Sequence, residues 1–298
     1  MDKIFNGNIH FGISNLKIEE NSFDLGDGII ISKTYAHLMS PFIVAFQPAP
    51  PGKHHPAPWK STYGGNSFDI NAELFIPSHI EEKYESKIEV ARTIGFLFRL
   101  GINPATQFTV FSNHSFSELP KIPDSESIIC PFDTQTRYFM LSVESENTNT
   151  NALKWLAERW QTVHKLTKEK NEFALAVNAI DTGQFIQNSG LTMVLLWGAL
   201  ESLFSPSTSE LRFRVSSLIA AYLEKPGIER VKRQKEVSKL YDKRSAAAHG
   251  KPKHNSDDLL RTFNLLRDVV WKIIDDKKVP RKKDLENLLF GIELDKDD

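Results

Sequence analysis

The chain of 298 residues is long enough for about two domains, and its 40% hydrophobic content supplies real cores, which excludes a wholly disordered protein. Its 37 basic and 38 acidic side chains nearly cancel overall, but residues 1–150 hold 11 basic and 17 acidic groups against 26 and 21 in residues 151–298. Between Glu210 and Lys283 there are 20 basic and 10 acidic residues, so an anionic partner is expected at the C-terminal part.

In chain order, the opening MDKIFNGNIHFG lacks the apolar core of a signal peptide, and no run of about 18 apolar residues offers a membrane span, so a soluble, cytoplasmic protein is expected. ISNLKI, GIIISK, FIVAFQ and FDINAELFI then read as short strands, with turn chemistry such as Leu25-Gly26-Asp27-Gly28 between them. The proline-rich stretch Gln47–Pro58 suits neither helix nor central strand and reads as an exposed loop. From about Ser78 to Leu100, Ile80, Tyr84, Ile88, Ala91, Ile94, Leu97 and Phe98 recur at helical spacing, with Gly101 as the stop. QFTVFS and RYFMLSV read as further strands, and the polar stretch Glu144–Asn151 places a domain boundary between residues 148 and 149.

Beyond that boundary the pattern is helical. The segments are Ala152–Glu169, then Phe173–Phe204 with a break near Asp181-Thr182-Gly183 or Gly190, then one from Ser209-Glu210 to Leu223. Ile228 to about His249 follows, ended by Gly250 and Pro252, and another begins after the capping residues Asn255-Ser256-Asp257 and runs to about Asp276. Arg281–Phe290 adds a short last helix. The expected fold class is therefore α+β: a mixed, β-rich domain over residues 1–148 followed by an all-α bundle over 149–298.

Several chemistries have no motif here. The chain has no G-x-S-x-G elbow, Walker loop, G-x-G-x-x-G after a strand or H-E-x-x-H, and its single Cys130 allows neither an internal disulfide nor a C-x-x-C zinc pair. His54-His55 lacks acidic or thiol neighbours and reads as a solvated loop pair, so no metal and no cofactor are expected. The informative segment is Leu240–Gly250, LYDKRSAAAHG, in which Arg244 and His249 form R-x4-H. The spacing alone does not select it, because Arg159 and His164 form a second R-x4-H. Context separates them: Gly250 puts His249 at an open helix end, whereas the other pair reads as lying inside a helix between Trp155, Trp160 and Leu166 and as structural. The Ala246–Ala248 run, besides favouring helix, lets another helix, a second subunit or a substrate approach closely.

Three blocks in order, LWGALESLF, ELRFRVSSLIAAYL and LYDKRSAAAHG, resemble the HEPN superfamily, and within it the Apea-like group associated with bacterial defence, over about residues 150–290. The resemblance implies a helical homodimer, a metal-independent endoribonuclease centred on Arg244 and His249, and a role in anti-phage abortive infection. The departure is Ser245, where many HEPN nucleases have Asn, Asp or His after the arginine. The chemistry suits the residues. A histidine, with an ordinary pKa of about 6.5, can move the ribose 2′-hydroxyl or leaving-group proton, and an arginine fork stays charged against the crowded phosphate. Acid and base are two tasks and one motif holds one histidine, so a two-fold dimer is implied, with 2′,3′-cyclic phosphate and 5′-hydroxyl products.

Tyr241 and Ser245 are candidates for orienting substrate, with core packing as the competing role for Tyr241. Glu201, charged within the apolar GALESLF, needs a partner if buried and can hold Arg244, with Arg212 or Arg214 as the competing partners. Arg230, Lys232, Arg233, Lys235, Lys239 and Lys243 are candidates for tracking an RNA backbone, tRNA or mRNA, unless they simply form a solvated face. The N-terminal domain is expected to sense a phage-derived trigger or recruit substrate. The competing functions are a catalytically silent HEPN dimer binding RNA, a nucleotide or a partner protein, and a small-molecule enzyme in the N-terminal domain, for which no motif speaks.

Overall fold

A computed structural model describes residues 7–138, 148–204, 211–251 and 253–292, apart from the side chains of Ser40, Pro41 and Asn66. The architecture is α+β. The chain forms two compact units, Met1–Gln135 with Ser142–Glu158, and Thr136–Leu141 with Arg159–Asp298.

The first unit is built on a six-stranded antiparallel sheet of order β2-β3-β4-β1-β5-β6, with β1 Ile9–Ser14, β2 Ser22–Asp24, β3 Ile30–Ala45, β4 Trp59–Ile76, β5 Gln107–Ser112 and β6 Ile129–Pro131. β5 is buried along its whole length and β1 almost so, as interior strands must be. Phe11 of β1 is ringed by Phe108, Phe111 and Phe132 at centroid distances of 5.3–5.8 Å, an aromatic core beside Ile9, Ile13, Leu74 and Ile76. Gly12 marks a close approach: a Cβ there would lie 2.9 Å from both Phe116 Cζ and Val110 Cγ1.

The helical stretch after β4 divides into α1 Ile80–Tyr84 and α2 Lys87–Gly101, because Glu85 takes a left-handed φ of 67° and Ser86 then caps α2 by accepting the Glu89 N–H. The strand expected at ISNLKI lies earlier, at Ile9–Ser14, and ends where Asn15 turns with φ 60°. GIIISK and FIVAFQ overlap one strand, β3, which pairs with the slightly longer β4 in a hairpin whose Gln47–Pro58 loop is almost wholly exposed. Most of RYFMLSV lies outside the described residues, and Arg137 and Tyr138 are not in a strand.

The polar stretch that reads as a linker ends in helix-capping chemistry. Asn149 accepts the Ala152 N–H and opens α3, Thr150–Ala157, while the Thr148 backbone pairs with Lys17 and Glu19. Those bonds tie α3 to the first unit, so the division by contact falls after Glu158 and not at 148/149. The helix expected over Ala152–Glu169 is accordingly two, α3 and α4, Trp160–Glu169, parted by a turn at Glu158-Arg159.

In the second unit α4 is followed by α5 Asn171–Gly183, α6 Ser189–Phe204, α7 Leu211–Leu223, α8 Ile228–Ala248, α9 Ser256–Asp276 and α10 Lys282–Leu289. Ser209 and Glu210 lie outside the described residues. α6 is apolar on nearly every side and packs against α5, α7, α8 and α9, the central position such a helix requires. α9 starts with a reciprocal capping box between Asn255 and Asp258. No helix among the described residues is long and apolar enough to cross a membrane.

Candidate active site

The site grows from the packing of α8 on α6. Tyr241 is buried with its ring edge-on to the fully buried Trp197 of α6, 5.1 Å between centroids. One turn on, the Arg244 guanidinium lies 5.7 Å from the Tyr241 ring, and its Nη2 donates to Glu201 Oε2 at 2.8 Å. Glu201 therefore pairs with Arg244 and not with Arg212, which reaches Asp242 at 2.7 Å. Burial, followed by interaction with the Glu201 carboxylate, raises the Tyr241 phenol above its ordinary pKa. Around this joint three buried polar atoms have no partner among the described residues: Trp197 Nε1, Glu201 Oε1 and Arg244 Nε. Core packing thus accounts for the Tyr241 ring, and Arg244 is fixed by a carboxylate one helix away.

His249 is placed differently. It is the C-cap of α8 and is exposed, and its imidazole has no partner among the described residues. The helix stops there because Gly250 adopts φ 69°, which lets the Gly250 and Lys251 N–H groups return to Ala247 and Ala246. Pro252 lies outside the described residues. Lys243 braces this end by bonding Lys253 O at 3.0 Å and Asp258 at 3.3 Å. Five residues along a helix turn a side chain by about 140° and advance it about 7.5 Å, so one copy points Arg244 and His249 in different directions. Ser245 sits between them, half-buried, its carbonyl accepting the His249 N–H.

The second R-x4-H is built into the bundle. Arg159 stands at the start of α4, not inside a helix as its neighbours suggest, and pairs with Asp275 at 3.1 Å, while His164 is buried. The six basic residues of α8 other than Arg244 separate by helical phase. Lys232, Lys235, Lys239 and Lys243 are spaced three, four and four apart and share one stripe, whereas Arg230 and Arg233 turn away. Arg230 donates to the Glu224 and Leu288 carbonyls, and Arg233 pairs with Glu224 and Glu236. Lys232 pairs with Glu229, and only Lys235 and Lys239 are exposed without a partner among the described residues.

Two features escaped the sequence reading. Trp197 is one turn before Glu201 in WGALES, a spacing that gives it access to the same joint. In the first unit Ser67 Oγ lies 2.9 Å from His37 Nε2, and His37 Nδ1 lies 2.7 Å from Asp69 Oδ1, across β3 and β4. This is the order of a Ser-His-Asp relay, but the His37 and Asp69 side chains are 37% and 60% exposed. Water weakens such coupling, and the trio serves as a cross-strand clip at the root of the hairpin. His55 bonds the Gln47 carbonyl in the loop, and no group of three or more potential metal ligands is found among the described residues.

Comparison with known proteins assigns no family. No family model, no curated protein and no solved structure matches the chain. The functional reading therefore rests on the residues themselves.

Proposed function

We propose that the second unit is a HEPN-type, metal-independent endoribonuclease acting in cytoplasmic anti-phage defence, as a homodimer in which Arg244 and His249 of two copies form the site. The observation that carries this reading is the posture of Arg244. Its Nη2 is anchored by Glu201 while Nη1 bonds nothing among the described residues, leaving a pre-aligned donor for a phosphate oxygen. His249, on a solvated helix end, has both nitrogens open to the 2′-hydroxyl or the departing 5′-oxygen. Two copies would supply one histidine as base and one as acid, and the Lys235 and Lys239 stripe would attract the RNA backbone.

A second reading has its own support. The Glu201–Arg244–Tyr241 joint is equally what a structural arginine makes, which favours a dimer that binds RNA without cutting it. Incubating total RNA and tRNA in EDTA with wild type, His249→Ala and Arg244→Ala separates the two. The nuclease predicts cyclic-phosphate ends that disappear, by a factor of at least about 100, in both variants while RNA binding survives. Cleavage that persists in His249→Ala, or wild-type protein that binds RNA and leaves it intact with and without infected-cell extract, refutes it.

A further inference from the structure

The long β3–β4 hairpin leaves the sheet as an arm. β2 covers β3 only at Ile30–Ser32 and β1 covers β4 only from Ile70 onward, so beyond those points both outer edges lack a strand partner among the described residues. Gly64 and Gly65, with φ of 98° and 144°, border a bulge in which Thr62–Gly64 oppose Phe42 and the register shifts by two residues. Phe42, Ile43 and Val44 are exposed in succession, with Phe46, Trp59 and a fully exposed Tyr63 beyond or within the bulge and Tyr35 and Met39 before it.

These side chains are too many to be incidental. The five rings are between 56% and fully exposed. At roughly 150–250 Å² per aromatic side chain, and with the three aliphatic ones added, the arm leaves on the order of 1,000 Å² of apolar surface in water. Summed over both faces of the hairpin, that is of the order of the roughly 800 Å² per partner of a stable interface. Charge indicates what covers it. The arm, residues 33–69, contains three lysines and a single acidic residue, Asp69, whereas residues 1–135 outside it hold 14 acidic against 7 basic side chains. The segment Glu118–Ile129 joins both properties, with Glu118, Asp124 and Glu126 beside the exposed Ile128 and Ile129.

We propose that the arm docks on the first unit of a second copy of this chain, each copy lending its basic, aromatic hairpin to the other's acidic surface. The aliphatic residues and the two free edges suit a protein surface better than a nucleic acid, whose backbone would demand more than three lysines. This interface is independent of the proposed cleavage site, which also needs two copies, so the test must identify the contact as well as the mass.

Full-length protein carrying Tyr63→p-benzoyl-phenylalanine, mixed from heavy- and normal-isotope preparations, is irradiated and digested. Heavy–light cross-links into residues 1–158 are expected. They should fall at least about tenfold when Phe42→Glu is added, with the circular dichroism spectrum unchanged because residue 42 is solvent-exposed within one copy. Adducts to RNA or to phospholipid, cross-links confined to one chain or to the second unit, or no adduct at all would overturn the proposal. Wild-type protein that forms these cross-links but leaves RNA intact would count against the nuclease reading alone.

Discussion

Removing the Glu201 carboxylate tests the joint on which the functional reading stands. The Glu201 and Arg244 side chains are 19% and 24% exposed, so the pair lies between a surface ion pair, worth about 0–1 kcal/mol, and a buried one, whose breakage costs about 3–5. Its 2.8 Å hydrogen bond is charge-assisted, a class worth about 1.5–3 kcal/mol. A coupling near 2 kcal/mol is therefore expected in the cycle of wild type, Glu201→Ala, Arg244→Met and the double variant. Glu201→Ala alone should cost slightly more, since it strands a partly buried guanidinium. The cycle is read from urea unfolding followed at 222 nm, where the helices of the second unit dominate. Glu201→Gln adds an independent readout: with the carboxylate gone, the Tyr241 phenol titrates lower, though still above an ordinary tyrosine because burial is the larger cause. The shift appears when the 295 nm difference between Glu201→Gln and Glu201→Gln/Tyr241→Phe is compared with that between wild type and Tyr241→Phe. A coupling below about 0.5 kcal/mol, with no movement of Tyr241, would refute the claim that Glu201 positions Arg244.

Two further perturbations test the fold. Gly12→Ala drives a methyl group to 2.9 Å from Phe116 and Val110 and 3.0 Å from Ile70, all buried, so a loss of about 1–3 kcal/mol is expected, and an unchanged melting temperature would mean that β1 does not approach them so closely. Asp284 is held below the ordinary carboxylate pKa, first by hydrogen bonds from the Arg281 side chain, so its contribution is present above the unfolded-state pKa near 4 and is lost as pH falls through the lower folded value. Asp284→Asn should be less stable than wild type at pH 6, with the gap closing toward pH 2; a gap independent of pH would contradict the assignment.

The helices of the second unit were legible because their signals are local. Asn255 caps α9, Gly250 ends α8, and the break at Gly183 lies inside an otherwise continuous apolar run. Glu201 was legible for a related reason: a carboxylate in GALESLF must find a cation, although choosing Arg244 over Arg212 took the register of α6 against α8. The arm was not legible. Pro41 and Gly64-Gly65 argue against a long strand, and they do so because strands are usually covered at both edges. In a two-stranded arm each strand has one unpaired edge, toward which a proline can turn the side that lacks an N–H, and the glycines cost only entropy, so β3 and β4 continue through positions where pattern reading stops. The split of the basic residues by phase was present in the spacing of Lys232, Lys235, Lys239 and Lys243, but it becomes informative only once the opposite face of α8 is seen to hold Val237, Leu240 and Tyr241.

That split bears on how two copies would divide the chemistry. Arg244 belongs to the face of α8 that packs inward, fixed by a residue of α6, and cannot follow a moving substrate without breaking its bond to Glu201. His249 lies beyond the last helical residue, on a turn set by Gly250, and can reorient at little cost. Charge stabilisation gains from a donor that is fixed before the phosphate arrives, whereas proton transfer needs a group that reaches the proton and withdraws. In the proposed dimer a partly buried arginine and a solvated histidine on one helix would meet these opposite demands, and the phosphate held by one arginine would take its acid or base from the other copy's helix end.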